Sequence, residues 1–152
     1  MALRDQILAD LKTAMRDKDE LRVATLRLIQ AAIKDRDIAA RAEDRCQGCG
    51  EEEIHAILQK LAKQREESAE TYEKAGRLDL AERERAEAEV VREYLPKQMD
   101  EAEIEQAARS VVDELGATGL KDMGRCMGAL KERYQGRMDF SRAGQEVKQL
   151  LR

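Results

Sequence analysis

The chain has 152 residues, of which 39% are charged, 42% apolar and only 3% aromatic, with a single proline and a formal net charge of −4. So few aromatic side chains exclude an aromatic-cored globule and favour long amphipathic helices, while the acidic balance argues against indiscriminate nucleic-acid binding. The length allows one ordinary domain or two small ones.

Leu3, Ile7, Leu8, Leu11, Ala14 and Met15 recur at helical spacing and predict a first helix over about residues 2–16. The opening MALRDQILADLK carries charges every few residues, so neither a signal peptide nor a membrane span is expected there. Asp19 is placed to cap a second helix, which is apolar on more than one face (Leu26, Leu28, Ile29, Ile33) and is expected to be the most buried. Residues 41–50, RAEDRCQGCG, read as a loop. A third helix opens on Glu51, Glu52 and Glu53, where acids suit the positive end of the helix dipole, and stops at Gly76. A fourth runs from about Leu78 to Tyr94, with a charge-laced outer face that reads as a solvated surface supported by ion pairs. Pro96 ends it. Asp100 with Glu103 forms a capping-box-like start for a fifth helix, which Gly116 stops. A sixth begins near Thr118 to Lys121 and reaches about Tyr134, and Asp139 caps a seventh. No strand and no internal repeat is expected. The fold class is all-α, with a four-helix part over residues 1–96 and a small three-helix domain over 97–152.

Charge is unevenly spread. Residues 116–152 hold eight basic against four acidic side chains, whereas residues 100–115 hold Arg109 against six acids. The basic surplus coincides with the stretch GATGLKDMGRCMGAL (Gly116 to Leu130), where four glycines fall within thirteen residues. Gly124 and Gly128 lie inside a predicted helix, where each costs roughly 1 kcal/mol relative to alanine. Their spacing puts both on one face, flanked by Lys121, Arg125 and Lys131, with Gly136 and Arg137 in a cationic turn beyond. A strip of bare backbone edged with cations suits close approach of another helix or of a phosphate backbone.

Other candidates carry less. Cys46 and Cys49 have the C-x2-C spacing used for zinc, but a structural site needs four ligands and no second such pair exists. His55 and Cys126 complete a set only if the fold brings them together; otherwise the loop holds two free thiols. Three cysteines, an odd number, suggest a reducing compartment, and the cytoplasm is expected. His55, the lone histidine, reads as a surface residue. There is no phosphate-binding glycine loop, no dinucleotide fingerprint and no nucleophile elbow. No self-sufficient catalytic constellation is present, so no catalytic residue and no cofactor is expected.

Three segments resemble the GatB/YqeY family: LKTAMRDKDELRVATLRLI (Leu11 to Ile29), TYEKAGRLDLAERERAEAEVVREYLPKQM (Thr71 to Met99) and KDMGRCMGALKERYQGRMD (Lys121 to Asp139). The likeness spans essentially the full chain, as a stand-alone YqeY-like protein. It implies an all-helical protein whose C-terminal module is similar to the tail of the B subunit of the glutamine-dependent aspartyl/glutamyl-tRNA amidotransferase, where it helps hold tRNA while chemistry occurs elsewhere. Gly124, Met127, Gly128, Lys131 and Gly136 match the shared pattern, and Lys121, Arg125 and Arg137 lie beside them as the implied RNA contacts. The CQGCG loop departs from it. A carbon–nitrogen ligase activity with glutamine as amide donor follows only at the level of the family. The resemblance thus implies a tRNA-associated accessory protein, with tRNA and amidotransferase or synthetase components as partners and no membrane. The residues by themselves also allow a helical protein-interaction module without a nucleic-acid role.

Overall fold

The computed structural model describes residues 2–43 and 48–152. The described residues form seven α-helices and one short 3-10 turn joined by turns and irregular connections, with no strand among them. The chain divides into two compact units, Met1–Leu95 and Pro96–Arg152.

The first unit contains α1 (Leu3–Arg16), α2 (Glu20–Ala42), α3 (Glu51–Lys74) and α4 (Leu78–Arg92). Their apolar stripes meet in one core around Ile7, Leu26, Ile29, Leu58 and Val91, each at most 1% exposed. Burying side chains of this size stabilises by about 1.5–3 kcal/mol apiece. Asp19 caps α2 by accepting from the Arg22 N–H at 3.2 Å. Between α3 and α4 the chain reverses through Gly76, whose φ of 76° suits a residue without a Cβ. The Arg77 N–H closes that turn on the Tyr72 carbonyl at 2.8 Å. Near the reversal the two helices bury small residues, Ala69 and Ala81. Arg85 and Glu73 pair across them at 2.6 Å.

Helix α2 runs two residues into the segment read as a loop. Ala39, Ala40 and Ala42 are helix formers and Ala40 is fully buried, which carries the helix on to Ala42. The return toward α3 is pinned from two sides. Arg4 grips Asp37 with two bonds of 2.7 and 2.9 Å and donates to the Cys49 carbonyl at 3.0 Å. The Cys49 N–H donates to Asp37 at 2.9 Å.

The second unit contains α5 (Glu101–Leu115), a 3-10 turn (Leu120–Asp122), α6 (Met123–Arg133) and α7 (Phe140–Leu150). Both halves of the capping box form at Asp100 and Glu103, at 2.8 and 3.4 Å. Gly116 ends α5 in the left-handed region, and Asp139 caps α7. Val111, Cys126, Leu130, Met138 and Val147 are fully buried at the centre of this unit. No helix among the described residues is long and apolar enough to cross a membrane.

Candidate nucleic-acid interface

Helix α6 presents opposite faces to its own core and to solvent. Cys126 and Leu130 point inward and are fully buried. Burial pushes the Cys126 thiol above its ordinary value, which keeps it protonated and unreactive. On the far side Gly124 and Gly128 are exposed, and a Cβ built on either meets no heavy atom within 4 Å. Neither glycine therefore relieves crowding within the unit. Close helix contact involves Gly144 on α7 instead, where a Cβ would lie 3.9 Å from the methyl carbons of Met123 and Met127.

The cations divide into two sets. Lys121 and Lys131 are exposed and enter no ion pair among the described residues. The arginines are occupied. Arg125 donates to the Leu115 carbonyl at 3.2 Å and lies 3.4 Å from Asp122. Arg133 pairs with Glu114 at 2.6 Å, and Arg142 lies between Glu101 and Glu146. Asp122 is held below the ordinary carboxylate range chiefly by the Thr118 N–H at 3.0 Å, and also by the Gly119 N–H and the charges of Arg125 and Lys121. That same capture forms the 3-10 turn and delays the start of α6 to Met123, later than its periodicity suggests.

Gly136 and Arg137 stand apart from this strip. Gly136 is buried at a φ of 75°, and its carbonyl accepts from the Gln98 amide at 2.6 Å. Arg137 is half-buried and donates through Nε to the Lys97 carbonyl at 3.2 Å. Both stitch residues 97–99 to the end of α6, and the Met99 N–H adds a bond to the Arg137 carbonyl at 2.8 Å. The geometry thus gathers Lys121, Gly124, Gly128 and Lys131 on one open face, sets Arg125 at its flank, and leaves Gly136 beneath the surface. Sequence reasoning missed Leu120, which is 51% exposed at the head of this strip. Its spacing of four from Gly124 was the available signal.

Cys46 lies outside the described residues. Cys49 is buried beneath Arg4 and Asp37, and its thiol is raised chiefly by desolvation, with Asp37 adding to it. His55 is half-buried. No group of three or more His, Cys, Asp or Glu side chains among the described residues is placed to hold a metal ion.

A family model described as "Yqey-like protein" matches residues 4–151. Three curated relatives share the name "Altered inheritance of mitochondria protein 41, mitochondrial". The protein of Lachancea thermotolerans is 38% identical over 108 residues, covering 70% of this chain and 56% of the relative. That of Clavispora lusitaniae is 34% identical over 119 residues, covering 76% and 66%. That of Pyrenophora tritici-repentis is 31% identical over 132 residues, covering 85% and 69%. The chain therefore spans little more than half of the first relative and about two thirds of the others. These names overturn the expected cytoplasmic location, since the similar proteins are mitochondrial. The expectation rested on free thiols, and thiols survive in any reducing compartment, so they never distinguished one from another.

Proposed function

The chain belongs to the YqeY-like family, and from that premise we propose that it is an accessory protein that holds tRNA on the open face of α6, while any amide transfer is carried by other proteins. Residues 97–152 form the holding module and residues 1–96 its helical partner domain. The observation that carries this reading is the pair Gly124 and Gly128, exposed in mid-helix with no local packing role, beside two unpaired lysines. Bare backbone lets a phosphate chain approach closely, and Lys121 and Lys131 neutralise it without reading sequence. The sequence resemblance of the C-terminal module to the tRNA-holding tail of the amidotransferase B subunit supports tRNA as the RNA in this reading.

Filter binding of a tRNA transcript across a salt series tests it. Two or three phosphate contacts predict a slope of log K against log salt of about −2, and Lys121→Glu with Lys131→Glu should flatten it. Binding that is absent, or that ignores salt, contradicts the proposal.

A second reading has one specific observation in its favour. Leu120 offers an exposed apolar anchor at the head of the strip, which suits a partner helix laid along Gly124 and Gly128. A protein partner that survives nuclease and high salt and is lost with Leu120→Ala favours this reading.

A further inference from the structure

Gln106 and Ser110 stand about one turn apart on α5, and Tyr134 follows directly on α6. With Met99 and Arg137 they line an open groove of about 450 Å³ within the second unit. The Gln106 amide, the Ser110 hydroxyl and the Tyr134 hydroxyl have no hydrogen-bond partner among the described residues. Arg137 is pinned at the groove through its Nε bond to the Lys97 carbonyl, which holds the guanidinium in place without neutralising it. Asp100 and Glu103 also line the groove, locked in the cap of α5.

This arrangement separates two kinds of ligand group. Carboxylates repel a phosphate and accept N–H groups, whereas a half-buried aromatic ring offers a stacking surface to a flat neutral ring. Arg137 supplies the charge for a phosphate, and Lys131 lies about one turn before Tyr134 on the open face of α6. We infer that the groove receives one unpaired base of the RNA, stacked on Tyr134 and hydrogen-bonded at its edge by Gln106 and Ser110, with its phosphate at Arg137. This rests on the RNA-holding role proposed for α6. It adds that the grip is on a single-stranded position rather than on duplex alone.

The test uses the full chain with two labelled probes read by fluorescence anisotropy: a short single-stranded oligoribonucleotide and the duplex of the same sequence. The wild type should prefer the single strand. Tyr134→Leu keeps apolar volume but removes the stacking face, and should weaken single-strand binding about fivefold or more while leaving duplex binding unchanged. Tyr134→Phe should retain most of the affinity. Gln106 is exposed and Gln106→Ala leaves the core intact, so it serves if Tyr134→Leu misfolds; it should cost about twofold to tenfold on the single strand only. Equal binding of both probes, unaltered by Tyr134→Leu and Gln106→Ala, overturns the groove while the role of α6 stands. A wild type that binds neither probe removes both.

Discussion

Gly124 and Gly128 lose about 1 kcal/mol each of helix propensity, and their own unit returns nothing for it, because a Cβ at either position meets open space. Gly124→Ala and Gly128→Ala should therefore each raise stability by about 0.5–1 kcal/mol in urea melts. If the strip is a contact surface, the doubly substituted chain binds tRNA more weakly although it is better folded. Stabilisation with undiminished binding speaks against close backbone approach. In the first unit, Asp37 draws on two bonds from Arg4 and one from the Cys49 N–H. Arg4 first, then the Cys49 N–H, hold its carboxyl well below the usual range, against a desolvation cost. A lowered folded-state pKa means stability that is complete above the unfolded value and lost as pH falls toward the folded one. Wild type should thus exceed Asp37→Asn in stability near neutrality, and the gap should narrow below about pH 4. A gap constant with pH is inconsistent with an ionised Asp37 as the anchor. Nothing in the sequence marked this group, because Arg4 and Asp37 are brought together only by the packing of α1 on α2.

Helices and their ends were largely legible, since each signal is local. Asp19, Asp100 and Asp139 cap the helices they precede, and Gly76 and Gly116 stop theirs. The departures are tertiary. Asp122 captures the Thr118 N–H and turns the predicted first residues of α6 into a 3-10 segment. Arg125 reaches the Leu115 carbonyl ten residues back, and Gly136 is drawn under by Gln98 from 38 residues away. Periodicity is silent on contacts of that range, which is why Arg125, Arg137 and Gly136 of the expected interface turn out to be partly engaged. The α3–α4 hairpin is the opposite case, where small side chains visible in the sequence decide the packing. Ala69 and Ala81 are buried where the helices reverse, so Ala81→Leu should overpack the pair and destabilise it by about 1–3 kcal/mol in thermal or urea unfolding. An unchanged midpoint indicates room between the helices.

At the scale of the whole molecule, charge sets the terms of any RNA contact. The chain is acidic at −4, and residues 97–152 carry ten bases and ten acids, so no broad positive field draws a polyanion in from a distance. Attraction must be local, on a face where Lys121 and Lys131 are left free while Arg125, Arg133 and Arg142 answer nearby acids. The family resemblance was readable in three segments, but location was not, because thiol chemistry reports redox state and not address. The most direct test of the α6 face is amide chemical-shift mapping of the full chain on titration with a tRNA transcript. The Gly124 and Gly128 amide signals should shift together with those of Lys121 and Lys131, while signals of residues 1–95 stay in place. Glycine signals that hold still while other residues respond to the RNA would contradict the proposed surface.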